Sequence, residues 1–160
     1  MTAKFTVLGN TTLATSSASV TFSSIPGGHK DLVLVVSGTT TANADCEIQV
    51  NNLTTSIYNQ VGMYGDGSSA ASASTTGTLL KVANEARFTS SSVSSCIVNF
   101  FDYSATDKHK SVLSRANSPS IAVEAVAGRI ATTAAITEID ILAQGQSWAA
   151  GSTFRLLGVN

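Results

Sequence analysis

The sequence predicts an all-β protein, an antiparallel β-sandwich of jelly-roll-like type with about 8–11 strands. Short runs rich in Val, Ile, Thr or Phe recur along the chain, and each ends in a cluster of Gly, Asn, Asp or Ser. No strand–helix–strand rhythm accompanies them, so a parallel sheet is not expected. With 43% hydrophobic residues, a chain of 160 residues can bury one sizeable core, and we expect a single domain over 1–160.

The N-terminal half contains six such runs: KFTVLG (4–9), SVTFSSI (19–25), DLVLVVSG (31–38), CEIQVN (46–51), IYNQVGMY (57–64) and TLLKVA (78–83). The second run stops at Pro26, which has no N–H to donate to a neighbouring strand and therefore marks a turn. Residues 32–36 are apolar without interruption, which is typical of a strand covered on both faces or lying centrally in a sandwich. The segment ANEAR (83–87) is also compatible with a single helical turn.

The C-terminal half contributes five more runs: SCIVNFFDY (95–103), KSVLSR (110–115), IAVEAVAGRI (121–130), TEIDILA (137–143) and TFRLLGV (153–159). In TEIDILA, Ile139 and Ile141 alternate with Glu138 and Asp140, which predicts a strand with one buried face. The predicted core consists of large apolar side chains from these runs: Leu32, Leu34, Val36, Val98, Phe100, Ile139, Ile141, Phe154 and Leu156.

The two cysteines, Cys46 and Cys96, lie in the apolar alternating runs CEIQV and CIVNF. We expect both to be buried free thiols that pack as small hydrophobic side chains. A disulfide between them is the alternative, although nothing in the sequence indicates an oxidising compartment.

The charge content limits the classes of partner. Only 12% of residues are charged, the net charge is −1 and the pI is about 6.0, so no face can carry the dense basic stripe that nucleic acid requires. A chain this close to neutral does not repel its own copies, which permits self-association or contact with a protein lattice. The first 20 residues lack the apolar run of a secretory signal, and no segment is apolar enough to span a membrane.

The segment GDGSSAASASTTGT (65–78) has one charge and no bulky apolar side chain. We expect it to be a long surface loop, because it lies between two predicted strands and contains no apolar pattern. Connections longer than about 12 residues are usually functional or disordered, and small side chains lose little entropy on being fixed. The candidate interface residues are therefore Gly65, Asp66, Gly67, Ser68, Ser69, Ser72, Ser74, Thr75 and Thr76; a solvated flexible linker is the alternative.

Catalytic or metal chemistry is not predicted. His29 and His109 both lie in turn-like, charged segments, and neither accompanies a G-x-S-x-G motif. Glu138 and Asp140 share a strand face and are expected to be surface charges rather than an acid–base pair. The YGDGS segment at 64–68 lacks the downstream acidic ligands of a calcium loop. We therefore expect no enzyme activity, cofactor or metal.

Sugar binding is the remaining alternative among small-molecule functions. β-Sandwiches often bind sugars through exposed aromatic side chains, and the candidates here are Trp148, Tyr58, Tyr64 and Tyr103. Trp148, in the sequence GQSWAAGS, is equally compatible with a plug over an open end of the core.

Two segments resemble small structural proteins of tailed bacteriophage virions, especially of phages that infect cyanobacteria and marine bacteria. They are SVTFSSIPGGHKDLVLVVSG, at 19–38, and TTAAITEIDILAQGQSWAAGSTFRLLGVN, at 132–160, with YGDGSS between them also fitting the pattern. Together they cover about a third of the 160 residues.

The resemblance implies a non-enzymatic virion protein, assembled in the host cytoplasm, that decorates or cements the capsid. Its expected partners are the major capsid protein lattice and copies of itself, most simply in a homotrimer. The alternative is a tail-tip or tail-fibre module that binds a host-surface glycan, and a third hypothesis is a glycan hydrolase. We expect a compact module on a shell rather than a free-standing fibre, because the sequence shows no long helical or coiled-coil stalk before its first predicted strand.

Overall fold

The computed structural model describes residues 4–119 and 121–160, and within that part of the chain the regular elements are twelve β-strands. The first three residues of the predicted domain, and Ser120, lie outside the described residues. In chain order the strands are β1 (Phe5–Thr12), β2 (Ser19–Phe22), β3 (Asp31–Gly38), β4 (Ala44–Val50), β5 (Tyr58–Gly65), β6 (Ala70–Gly77), β7 (Leu80–Phe88), β8 (Ser94–Phe101), β9 (Lys110–Ser118), β10 (Ala122–Ile130), β11 (Ile139–Ala143) and β12 (Thr153–Val159).

The strands form two antiparallel sheets. One sheet has eight strands in the order β1-β12-β3-β8-β9-β10-β5-β6, and the other has four in the order β2-β11-β4-β7. The apolar faces of both sheets contribute to one cluster of buried residues. The fold is therefore the predicted antiparallel, jelly-roll-like β-sandwich.

The predicted core is confirmed, since all nine of the expected side chains are among the buried residues. β3 alternates between buried and half-buried positions, with Leu32, Leu34 and Val36 inside and Val33 and Val35 outside. It is an internal strand of the eight-stranded sheet and is not covered on both faces. β-Branched residues on its outer side account for the uninterrupted apolar run.

The possible helical turn at 83–87 is wrong, because these residues belong to β7. Pairing between β7 and β4 is irregular, with register shifts on both sides of Cys46. At this irregularity the backbone N–H groups of Asn84, Glu85 and Ala86 all donate to Oε2 of Glu124, at 2.8, 2.8 and 3.0 Å. A carboxylate from another strand thus satisfies donors that β4 does not reach.

Both cysteines are free and buried, as predicted, and no disulfide joins them in the described part of the chain. Burial raises the pKa of the Cys46 and Cys96 thiols well above the ordinary value. Both side chains are therefore neutral core residues.

The predicted loop at 65–78 is wrong, since most of it forms strand β6 at one edge of the eight-stranded sheet. β6 pairs with β5 along its whole length, from Gly65 opposite Ala70 to Tyr58 opposite Gly77. The sequence pattern did not reveal the strand because an edge strand exposed on both faces has no need of apolar residues.

Candidate interaction surface

The hairpin between β5 and β6 turns on Asp66. Its Oδ1 accepts hydrogen bonds from the backbone N–H groups of Ser69 and Ser68 at 2.7 and 2.8 Å, and from the Ser68 hydroxyl at 2.8 Å. These bonds hold the pKa of the Asp66 carboxyl well below its usual range, the Ser69 N–H contributing most. Gly67 has a backbone φ angle of 89°, which residues other than glycine rarely adopt. The carboxylate thus organises its own turn.

The structure divides the candidate interface residues into a turn and the two faces of one strand. The first five form the turn at 65–69 and the end of β5. Ser72, Ser74 and Thr76 alternate with Thr75, so they lie on the face of the sheet opposite to it. All of β6 is exposed except Gly77 at its end, which leaves the whole strand available to a partner.

The side of the eight-stranded sheet that points away from the core is called the outer face here. One row across it runs from Leu157 through Val33, Asn99, Leu113, Ala127 and Val61 to Ser74. A second row runs from Arg155 through Val35, Ile97, Arg115, Ala125 and Met63 to Ser72. The outer face therefore mixes apolar, small polar and arginine side chains.

The outer face carries almost all of the exposed large apolar side chains. Within residues 4–119 and 121–160 these side chains are Phe5, Val7, Val61, Met63, Val93, Phe101, Leu113 and Val123, and Val93 alone lies elsewhere, in the loop before β8. The most exposed is Met63, at 65%, followed by Val123 at 62%. Single exposed apolar residues need no explanation, but their concentration on one face is typical of an interaction site.

The charges on the outer face are mainly basic. Arg155 lies at one end of the second row and Arg115 in its middle, while Asp31 lies at one end of β3. Arg129 donates through Nη2 to Oδ1 of Asn59 at 2.7 Å. Three arginines against one aspartate give this face a positive balance, although the whole chain has a net charge of −1.

A shallow groove of about 520 Å³ lies on the outer face between β5, β6 and β10. Along one side, Asn59 accepts from Arg129 and donates through Nδ2 to Oγ1 of Thr76 at 2.9 Å. Val61 and Ala127 supply apolar surface beside these polar groups. The groove thus combines a fixed guanidinium with amide, hydroxyl and apolar surface.

The side chains considered for catalysis each have a local structural contact or lie free in solvent. Nδ1 of His29 is 3.0 Å from Oδ1 of Asn160, and His109 is exposed before β9. Glu138 accepts from Nδ2 of Asn52 at 2.5 Å. Asp140 accepts from the hydroxyl of Thr21, also at 2.5 Å.

The aromatic residues considered for sugar binding are mostly inside the core. Trp148, Tyr58 and Tyr103 are fully buried, and only Tyr64 is partly accessible. The indole N–H of Trp148 donates to the carbonyl of Ile141 at 3.2 Å, and the ring packs edge-on against Phe88 and Phe154. Trp148 is thus a core residue, in agreement with the alternative prediction that it plugs the core. Because three of the four candidates are buried, they cannot act as stacking platforms for a sugar.

Two further features concern the described residues alone. They contain no group of three or more His, Cys, Asp or Glu side chains that could hold a metal ion. They also contain no helix that is long and apolar enough to cross a membrane.

The apolar residues of the outer face were not among the predicted site residues. Val61 and Met63 alternate in IYNQVGMY, and Val123 alternates with buried residues in IAVEAVAGRI. Those alternations could have been found, but the sequence gives no sign of which apolar set points inward when both faces contain such residues.

Comparisons with known proteins leave the family open. No protein-family model matches the sequence, and no curated protein matches it. Among solved structures, a galectin from Caenorhabditis elegans is 12% identical, covers 94% of this chain and 95% of its own, and has a TM-score of 0.40.

Two further structures are similarly distant. An exo-inulinase from Aspergillus awamori is 9% identical over 96% of this chain and 29% of its own, with a TM-score of 0.41. An alginate lyase from Aplysia kurodai is 8% identical over 85% of this chain and 71% of its own, with a TM-score of 0.36. Likenesses this distant assign no function.

Proposed function

We propose that the protein is a structural component of a tailed-phage virion that binds the capsid shell through the outer face of its eight-stranded sheet. The partner is the lattice of the major capsid protein, and the role is decoration or cementing of the shell. One observation carries the proposal: all but one of the exposed large apolar side chains in the described residues lie on this face.

The apolar side chains of the outer face supply the binding energy. Met63, Val123 and Val61 are 65%, 62% and 54% exposed, so contact with a flat partner removes apolar surface from water at each position. Burial is worth about 25 cal/mol for each Å² of apolar surface removed from water. Side chains distributed over several strands suit a broad protein surface better than a small ligand.

The remaining side chains of the face keep the cost of desolvation low. Ser72, Ser74 and Ser95 carry hydroxyls that can pair again across an interface, whereas unpaired buried charge costs several kcal/mol. The arginines are the exception, and they require carboxylates on the partner. We therefore expect a partner surface that is flat, partly apolar and acidic opposite Arg115.

The two segments that resemble phage virion proteins also support this role. The first provides β2 and β3, and the second provides β11 and β12. These strands lie in both sheets, with β3 and β12 adjacent in the larger sheet and β2 and β11 adjacent in the smaller. The resemblance therefore covers paired strands that build the frame of the sandwich.

A tail-tip or tail-fibre module that binds a host-surface glycan is the second candidate, and the groove beside Arg129 favours it. Asn59, Thr76 and Arg129 offer amide, hydroxyl and guanidinium groups in a connected network. Acidic sugars present carboxylates that a fixed guanidinium binds well. This candidate requires binding of a sugar by the isolated protein, which shell decoration does not.

The copy number in purified particles separates the two candidates. Quantitative mass spectrometry of virions should give an abundance comparable with that of the major capsid protein, and electron microscopy should show the protein over the whole shell. An abundance of a few copies confined to the tail would contradict decoration. Absence from the particle would contradict both virion roles.

A further inference from the structure

Strand β6 forms one edge of the eight-stranded sheet, and its side away from β5 is unpaired. β5 is its only neighbour in that sheet, and within the described residues no side chain bonds to the backbone of Ala70, Ser72, Ser74 or Thr76. The strand is eight residues long and contains no charge and no proline. It therefore presents a regular row of backbone donors and acceptors to solvent.

The pairing with β5 determines which groups are free. The N–H of Asp66 donates to the carbonyl of Ser69 directly opposite it, so these two residues form a hydrogen-bonded pair, and such pairs alternate with non-bonded pairs along an antiparallel ladder. Bonded positions on β6 are consequently the odd-numbered residues, such as Ala71 and Ala73. The N–H and C=O groups of the even-numbered residues point away from β5, towards the edge.

The other three sheet edges are protected in ways that β6 is not. β2 has four residues, and β1 contains a register shift between Val7 and Gly9. On β7, the N–H of Lys81 donates to Oε1 of Gln60 at 2.7 Å, while Glu124 accepts from three more N–H groups. Short strands, bulges and covered edges are the usual protections against edge-to-edge pairing.

We propose that β6 pairs with β6 of a second copy of this chain, antiparallel about a two-fold axis at Ala73. With Ala73 opposite Ala73 of the second copy, Ser72 lies opposite Ser74 and Ala70 opposite Thr76. This register places every free N–H and C=O in a bonded pair and yields about eight hydrogen bonds between the two chains. A shift of the axis by one residue loses one of the four bonded pairs.

The composition of β6 fits a copy of itself as the partner. Ala73 occupies the non-bonded central pair, where the two Cα atoms approach to about 4.5 Å and small side chains avoid crowding. The strand has no charge that would oppose itself across the axis. About eight hydrogen bonds is close to the ten or so of a typical protein interface.

This pairing goes beyond the proposed role in the virion and requires no particle. It joins two eight-stranded sheets into one, so the two outer faces become continuous. Two linked outer faces bind a lattice more tightly than one, because the second contact forms within the same complex. The product is a dimer, whereas the resemblance to virion proteins led us to expect a trimer.

Cysteine cross-linking of the isolated protein tests the register. In an Ala73→Cys variant the two thiols face each other across the axis, within the Cα separation of a disulfide, and glutathione disulfide should oxidise them to a covalent dimer. Ala71→Cys is the matched control, because Ala71 is equally small and exposed on the same face of β6. Its two copies lie about four residues apart along the strands, roughly 13 Å, and should remain unlinked.

A proline variant tests the hydrogen bonds. The free N–H of Ser74 points away from β5, so Ser74→Pro should keep the hairpin and raise the dimer dissociation constant at least about tenfold. Ser74→Thr should leave it unchanged, and Ser74→Lys provides a second disruptive variant. Failure of Ala73→Cys to cross-link, equal cross-linking of Ala71→Cys, or sedimentation of the parent as a monomer or trimer would overturn the proposal.

Discussion

Oε2 of Glu124, on β10, lies 3.0 Å from the backbone nitrogen of Ala86, on β7 in the opposite sheet. The same oxygen accepts from the two preceding N–H groups of β7, and the Glu124 side chain is almost completely buried. One carboxylate therefore joins the two sheets at a point where regular strand pairing fails.

Replacing Glu124 by alanine should destabilise the fold by about 2–4 kcal/mol, because one buried and two half-buried backbone donors lose their acceptor. Glu124→Gln keeps an acceptor oxygen in the same place and should lose less than half as much. Chemical denaturation of both variants measures the two changes. Equal losses, or a loss under about 0.5 kcal/mol for the alanine variant, would show that the carboxylate does not bind the bulge in solution.

Ile141→Ala should cost roughly 2–5 kcal/mol, because this β11 side chain is fully buried between the sheets. Val123→Ala, on the outer face, is the matched control and should change the free energy of unfolding by under about 0.5 kcal/mol. Denaturation midpoints give both values. Similar effects at the two positions would contradict the assignment of the faces.

Lys110 is fully buried, and its ammonium group donates to the backbone carbonyls of Ala105, Lys108 and Thr133. Burial lowers the pKa of Lys110, because the ammonium group loses contact with water. Lys110→Met should therefore cost about 1–3 kcal/mol and speed amide exchange in the loop 102–109.

Lys108→Met is the control for that experiment, since Lys108 is exposed and its contact with Asp102 is a surface ion pair of 2.8 Å. Loss of this exposed ion pair should leave the free energy of unfolding nearly unchanged. Equal effects of the two substitutions on stability and exchange would refute an anchoring role for Lys110.

The buried thiols predict slow chemical labelling and a specific pH dependence. Burial raises the pKa of Cys46 and Cys96, so the folded state keeps protons that the unfolded state releases in alkali. Their contribution to stability is complete below about pH 8.5 and falls as the pH rises above it, towards the raised pKa of the folded state.

A Cys46→Ala/Cys96→Val variant should show a shallower alkaline decrease in the free energy of unfolding than the parent. Thiol reagents should modify the folded parent only at the rate of unfolding. Immediate stoichiometric labelling, or parallel pH profiles for parent and variant, would contradict burial of the two groups.

The sequence predicted the sandwich and its core because alternation and turn residues are local properties of a strand. Ile139 and Ile141 show this, since they alternate with Glu138 and Asp140 and so leave one choice of inward face. β6 shows the limit: none of its residues is buried, so its pairing depends on the exposed edge of β5 and on the Asp66 turn. The outer face was likewise not predictable, because it depends on which strands become neighbours.

Binding of the purified protein to particles that lack it tests the role of the outer face most directly. Met63→Lys and Val123→Lys place a charge on two different strands of that face, and Ser19→Lys places the same charge on the exposed side of β2 in the other sheet. Occupancy is measured against protein concentration for the parent and the three variants. Thermal unfolding first confirms that the variants have the same unfolding midpoint as the parent. We expect the first two variants to bind at least about tenfold more weakly than the parent and Ser19→Lys to bind like the parent. Equal occupancy for all four proteins, or a defect confined to Ser19→Lys, would contradict the proposal that the outer face binds the shell.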